Sequence, residues 1–236
     1  MSGTPVSGAG ISGAGISGAG ISGSGISGSG ISGSGILGLI LAGGLSRRMG
    51  GGDKPLRTLS GRTLLARVAE RLAPQCGGGL ALSANGDPAR FRSVFAGRVL
   101  PDTVPDHPGP LAGILAGMEA AAALPGLTHV ASVPGDAPFL PHDFVARLVA
   151  AAAAEGKPIA LAASGERRHF TSALWPVALR EDLRDWLSRG ERRVGGFIER
   201  HGAAVAIWPA EPLDPFLNLN APEDLAAAEA LLARRP

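Results

Sequence analysis

The sequence predicts an α/β fold: one Rossmann-like, three-layer domain with a mostly parallel sheet, preceded by a disordered Gly/Ser-rich tail. Three observations predict it. Short apolar runs of strand length alternate with segments whose apolar residues recur at helical spacing. Loops rich in glycine, cations or carboxylates follow several of those strands, where ligands of open parallel sheets sit. The head of the chain, by contrast, repeats a pentapeptide that offers no pattern for a core.

The repeat covers residues 7–36, three copies of Ser-Gly-Ala-Gly-Ile followed by three of Ser-Gly-Ser-Gly-Ile. An Ile at every fifth position fits neither the helix nor the strand period, and ordering so many glycines costs much entropy. The chain is therefore divided into a tail, 1–35, and a folded domain, 36–236. Gly8-Ala-Gly-Ile-Ser-Gly13 matches the dinucleotide fingerprint G-x-G-x-x-G, but no strand precedes it and no helix follows, so the match carries no meaning.

Each later element has its own signal. Residues 36–41 form an apolar run of strand length, and 63–72 have apolar residues at helical spacing. A strand at 80–84, a helix at 88–95, a short strand at 98–100 and an Ala-rich helix at 111–124 follow. The next pair is a strand at 128–133 and a helix at 143–154. Strands at 158–162 and 169–175 come next, the second open to antiparallel pairing and stopped by Pro176. Helices at 179–188 and 195–200, a strand at 203–208 and a closing helix at 222–233, with Pro222 in its first turn, complete the chain.

Composition excludes several classes of function. A net charge of +2 is too mild for a nucleic-acid partner, although a small anionic substrate suits it. Cys76 is the single cysteine, which excludes an internal disulfide and a structural zinc cluster. The apolar run 36–45 holds three glycines and falls well short of the roughly 20 residues that cross a bilayer. No membrane segment or secretory signal is expected, and a reducing cytoplasm fits best. The five histidines show no metal-ligand spacing; His169, beside Arg167 and Arg168, is the one expected near substrate. No G-x-S-x-G elbow marks a serine hydrolase.

Three loops carry chemistry. After the first strand runs Leu41-Ala-Gly-Gly-Leu-Ser-Arg-Arg-Met-Gly-Gly-Gly-Asp-Lys54, whose glycines admit close backbone approach to phosphates while Arg47, Arg48 and Lys54 supply charge. It is not a P-loop, because G-x-x-x-x-G-K-[ST] is absent. After the strand at 128–133 comes Pro134-Gly-Asp136-Ala-Pro, which sets one carboxylate at a strand tip. Asp136 there is suited to hold Mg²⁺, an ion that takes one or two carboxylates plus substrate phosphates; a plain turn aspartate has the same appearance. Asp102, after the strand at 98–100, either accepts hydrogen bonds from a base or sugar or ends the strand.

These segments, in this order, resemble the molybdenum cofactor guanylyltransferase (MobA) family, whose opening motif looks like L-A-G-G-x-S-x-R-M-G-G-x-D-K and is matched without a break from Leu41 to Lys54. The resemblance continues through Pro108-Gly-Pro-Leu-Ala-Gly113, the Asp136 loop, Gly190-Glu-Arg-Arg-Val194 and Asn218-Leu-Asn-Ala-Pro-Glu-Asp224. It implies a nucleotidyltransferase that moves GMP from GTP to the terminal phosphate of molybdopterin, with Mg²⁺ as cofactor. It also implies that Leu41, Ala42, Gly43, Lys54, Ser83, Asp102 and Asp136 bind GTP, that Arg48, Lys54 and Asp136 carry catalysis, and that Asp136 binds the metal. Arg192, Arg193, Asn218 and Asn220 fall on the molybdopterin side, although the two arginines read equally as solvated helix charges. Ser83 departs from the Asn usual in the family, and Asn85 stands two residues further on. Gly44 and the Pro108–Gly113 segment favour GTP over CTP, since related cytidylyltransferases read L-A-A-G. The remaining expectations are a monomer and contacts with molybdopterin-synthesis proteins and recipient molybdoenzymes. Acceptor identity rests on the resemblance, and the same loops would serve a sugar phosphate or a non-catalytic GTP carrier.

Overall fold

The structure is a computed structural model that describes residues 1–3, 31, 33–43, 53–104 and 109–233. Contacts divide the chain into Met1–Gly30 and Ile31–Pro236. Most of the expected disordered tail, residues 4–30 and 32, lies outside those described. The second unit starts five residues ahead of the boundary expected from the repeat, and two backbone bonds explain why its last copy belongs there: Gly77 N–H donates to Gly33 O at 2.8 Å and Thr128 N–H to Gly35 O at 2.8 Å.

Seven strands make the main sheet: β1 (Ile36–Leu41), β4 (Leu80–Ser83), β5 (Arg98–Leu100), β6 (His129–Pro134), β7 (Ile159–Ser164), β8 (Arg167–Pro176) and β9 (Ala203–Trp208). Their order is β5-β4-β1-β6-β8-β7-β9. β8 alone runs against its neighbours, so the expected mostly parallel sheet is present. The order reverses at β1, which lies between β4 and β6, and the C-terminal ends of these strands open the crevice where ligands of such sheets bind.

Helices cover both faces, which explains why the parallel strands read as near-continuous apolar runs. On one face α1 (Leu64–Leu72) and α3 (Phe144–Glu155) bury Leu65, Val68, Leu72, Phe144 and Leu148 against Ile36 and Ile40. On the other, α2 (Pro110–Ala122), α4 (Arg180–Ser188) and α5 (Val194–His201) bury Leu111, Ile114, Leu115, Leu183 and Phe197 against Leu37 and Leu39. The centre is tight: a Cβ at Gly38 would stand 2.4 Å from a Leu80 methyl, and one at Gly117 2.6 Å from a Leu39 methyl. Glycine at both positions lets a helix press onto each face of β1. α1 starts where the Thr63 hydroxyl accepts the Ala66 N–H at 3.1 Å, and α3 stops at Gly156 in the left-handed region.

A third, smaller cluster of Leu59, Leu64, Phe139, Leu219 and Ala228 docks α6 (Pro222–Ala233) and the loop after β6 on a hairpin, β2 (Thr58–Leu59) and β3 (Arg62–Thr63). Sequence reading missed that hairpin. Its turn is Ser60-Gly61, both with positive φ, and its two-residue strands are too short to show a period. The helix expected at 88–95 is a single 3₁₀ turn, Pro88–Phe91. The chain leaves it to bury Phe95 and pass Gly97, where a Cβ would stand 2.5 Å from Leu80 O. β8 begins earlier than expected, at Arg167, and its register against β7 jumps from Leu161↔Ala173 to Ala162↔His169. Phe170, Thr171 and Ser172 therefore form a bulge. Among the described residues no helix is long and apolar enough to cross a membrane.

Candidate active site

The crevice is assembled by backbone bonds between strand ends. Ala42 N–H donates to Ser83 O and Gly135 N–H to Leu41 O, each at 2.9 Å, so the exits of β1, β4 and β6 are held side by side. Leu41 is half-buried there, Ala42 buried and Gly43 exposed. A Cβ at Gly135 would meet Pro55, Ile40 and the Leu41 carbonyl at 3.2–3.3 Å, and this closeness brings the start of the Asp136 loop against the segment that carries Lys54.

Lys54 opens a 3₁₀ turn, Lys54–Leu56, with Pro55 in its first turn and Asp53 as N-cap residue. Its ammonium donates to Asp136 Oδ2 and to Asn220 Oδ1, side chains 82 and 166 residues away in the chain. Lys54 and Asp136 each keep 15% of their side chain exposed, so the pair is reachable yet shielded enough for its charges to matter. The Asp136 carbonyl accepts the Leu219 N–H at 3.0 Å, which draws the Asn218–Asn220 segment into the crevice. Asp224 in the first turn of α6 then accepts the Asn220 and Ala221 N–H groups at 2.7 and 2.8 Å, fixing the backbone beside Asn220. Asn218 places a buried side-chain oxygen there that has no hydrogen-bond partner among the described residues.

Beside β1, on the β4 side, Asn85 and Asp102 pair reciprocally. Asn85 Nδ2 donates to Asp102 Oδ2 at 2.8 Å, and Asp102 N–H donates to Asn85 Oδ1 at 2.9 Å. Ser83 lies deeper. It is 3% exposed, and a Cβ at Gly113 of α2 would stand 2.2 Å from its hydroxyl. The polar group at the tip of this strand end is thus Asn85 rather than Ser83: two residues further on, it shares Ser83's side of an extended chain but lies past the end of β4.

The structure therefore brings together Lys54, Asp136 and Asn220, with Leu41, Ala42 and Gly43 at the adjoining strand exit and Asp102 on the flank. Arg47 and Arg48 lie outside the described residues. Arg192 and Arg193 are exposed; Arg193 is the N-cap residue of α5, and its side chain makes no cap hydrogen bond. His169 turns inward. Its Nε2 lies 2.6 Å from the Ser164 hydroxyl, its ring stacks on Phe216 at 4.8 Å between centroids, and its side chain is 8% exposed. Burial lowers its pKa, partly offset by Asp214 and reinforced by Arg167, so it is neutral at neutral pH. Sequence reasoning gave no role to Asp53, Arg90 or Asp214. An arginine in a presumed helix and a loop aspartate carry no local signal, and Asp53 stands in the opening motif with no role of its own attached.

No three His, Cys, Asp or Glu side chains among the described residues cluster as metal ligands. A single carboxylate at a strand tip still matches what Mg²⁺ takes from protein when phosphates and water complete its shell.

The chain matches the MobA-like NTP transferase domain over residues 38–205. It is 57% identical over 198 residues to the molybdenum cofactor guanylyltransferase of Bradyrhizobium sp. (strain ORS 278), covering 83% of this chain and 92% of that protein. The protein of the same name from Cereibacter sphaeroides is 55% identical over 198 residues, covering 84% of this chain and 97% of its own. Among solved structures, molybdopterin-guanine dinucleotide biosynthesis protein A from Archaeoglobus fulgidus superposes with a TM-score of 0.66 at 20% identity, over 84% of this chain and 100% of that one. A 4-diphosphocytidyl-2C-methyl-D-erythritol synthase from Anaerococcus prevotii DSM 20548 gives 0.63 at 14% identity, over 86% and 97%. At such identities the likeness to these two structures is one of fold.

Proposed function

This chain belongs to the MobA-like NTP transferase family, and from that membership we propose that it transfers GMP from GTP to the terminal phosphate of molybdopterin, releasing pyrophosphate. An oxygen of the acceptor phosphate attacks the α-phosphorus, a new phosphoanhydride bond forms, and the bond from the α-phosphorus to the bridging oxygen breaks in line with it. Such chemistry requires positioning and charge stabilisation and no covalent enzyme intermediate.

The observation that carries the reading is the meeting of Lys54, Asp136 and Asn220 at the point where the strand order reverses. Lys54 offers a cation to the triphosphate, and Asp136 would hold Mg²⁺. When bound, that ion neutralises charge on the phosphates of GTP and on departing pyrophosphate. Leu41, Ala42 and Gly43 border the guanine, Asp102 and Ser83 lie on the nucleoside side, and Arg48 adds a second cation near the phosphates. Asn220, bound to Lys54, stands between donor and acceptor; with Asn218, Arg192 and Arg193 it faces molybdopterin. The buried oxygen of Asn218, without a partner among the described residues, supports a donor group arriving there, and the start of α5, which the Arg193 side chain does not cap, supports an anion beside Arg193. The same reading has the chain act as a monomer in the cytoplasm, receiving molybdopterin from the proteins that make it and passing the product to molybdoenzymes.

The test is transfer of α-labelled GMP from GTP to molybdopterin, with CTP in parallel, Mg²⁺ present or chelated, and pyrophosphate measured. Label transfer from GTP alone, lost on chelation and matched by pyrophosphate, is expected. Transfer from CTP instead would overturn the base assignment, and GTP binding without pyrophosphate release would make the chain a carrier.

A further inference from the structure

Arg90 lies outside every loop that the sequence marks for chemistry, on the 3₁₀ turn Pro88–Phe91 that follows β4. Its guanidinium reaches three places. Nε donates to Asp53 Oδ2, Nη2 to the Asn85 carbonyl and Nη1 to the Asp87 carbonyl, each at 2.5 Å. The turn beneath it is fixed as well: the Asp87 carboxylate accepts the Ala89 N–H at 2.8 Å, and the guanidinium lies 4.4 Å over the Phe91 ring. Gly86, at φ +83°, leaves room for Nη1, which a Cβ there would approach to 3.3 Å. Arg90 and Asp53 are each 28% exposed at the side chain.

The network runs onward at both ends. Asp53 immediately precedes Lys54 and is the N-cap residue of its turn. Asn85, whose carbonyl Arg90 holds, exchanges two hydrogen bonds with Asp102. One guanidinium therefore ties the exit of the glycine-rich loop after β1 to the carboxylate beyond β5. We propose that Arg90 is a positioning residue for the nucleotide: it holds Lys54 and Asp102 at a fixed separation, so that the phosphate and nucleoside contacts stand ready before GTP arrives. The proposal rests on the reading of Lys54 and Asp102 as nucleotide contacts given above.

A planar fork with several donors in fixed directions can serve three acceptors at once, and a lysine ammonium on a flexible stem cannot. Without the fork, the loop exit and the Asn85–Asp102 pair are ordered by GTP itself, and that ordering is subtracted from its affinity. Acceptor binding, on the far side of Lys54, is spared.

The test uses the full chain, GTP with Mg²⁺ in a calorimeter, and steady-state kinetics for both substrates. Arg90→Ala is expected to bind GTP about tenfold more weakly while the acceptor KM stays within about twofold. Arg90→Lys should stay close to Arg90→Ala, and Asp53→Asn, which keeps the shape and removes the charge, should fall between wild type and Arg90→Ala. Thermal melts accompany every variant, and Asp53→Asn carries the test if Arg90→Ala does not fold. Wild-type GTP affinity in Arg90→Ala, or equal losses for GTP and acceptor, would overturn the proposal. Absence of GTP binding by the unaltered chain would instead overturn the functional reading on which it stands.

Discussion

Gly113→Ala tests how the crevice is packed. Gly113 lies in the first turns of α2, where a Cβ would stand 2.2 Å from the Ser83 hydroxyl, 3.1 Å from the Ser83 Cβ and 3.2 Å from a Leu41 methyl. The first distance is about 1.2 Å inside the 3.4 Å at which ordinary contact begins. Ser83 is 3% exposed and ends β4, so its hydroxyl can turn only into close-packed surroundings and its Cβ, at 3.1 Å, moves only with the strand. Overpacking of this kind costs about 1–3 kcal/mol. For a domain of this size each kcal/mol lowers Tm by about 2–4 °C, so a fall of about 2–12 °C is expected in a thermal melt. Adding Ser83→Ala removes the 2.2 Å contact but leaves the 3.1 and 3.2 Å ones, so the double variant should recover part of the loss. Weaker GTP binding should accompany the single variant, since Leu41 and Ser83 are both displaced. A wild-type Tm for Gly113→Ala, or a double variant no more stable than the single, would refute the argument.

Asp136→Ala should fold, because its link to Leu219 is made by backbone, yet lose about a hundredfold or more in pyrophosphate release; full turnover would sink the metal and phosphate assignment. Burial lowers the pKa of His129 and of His169, so the unfolded chain, titrating near 6.5, binds more protons than the native one just below that pH. Stability should therefore be complete above about pH 6.5 and fall as the pH drops towards the native values. Urea melts at about pH 7.5 and 5.5 should show a smaller difference once both are replaced by Gln, and an unchanged difference would count against this account. Burial also pushes the Cys76 thiol up to about 12 and leaves it 4% exposed, so iodoacetamide should label it only on unfolding; rapid native labelling would show that α1 opens.

Much of the fold was legible because burial on both faces of a parallel sheet leaves a strong signal. All seven main strands lie where apolar runs predicted them, to within a residue or two, and β8 takes the antiparallel direction that the sequence left open to it. What failed was local. Two-residue strands cannot show a period, one 3₁₀ turn has the composition of a helix, and a bulge of three residues has no signature beside the polar Arg167-Arg168-His169 group. The bonds of Gly33 and Gly35 were equally invisible locally, because their partners lie at Gly77 and Thr128, far along the chain.

The sequence by itself determined the chemistry of the loops: which one carries glycines and cations, which one presents Asp136, and that the closing segment holds two asparagines. Tertiary structure alone decided which of these meet. Lys54 finds Asp136 and Asn220 across 82 and 166 residues because Gly135 is small enough to let its loop lie against Pro55 and because Leu219 docks in a cluster under α6. It also decided that Ser83 sits beneath Gly113 while Asn85 holds Asp102, and that Arg90 joins both to the Lys54 loop. The reason is physical: a motif fixes residue types at one strand end, whereas contact between strand ends depends on how closely helices and strands pack, and that is set by side chains far away in the chain.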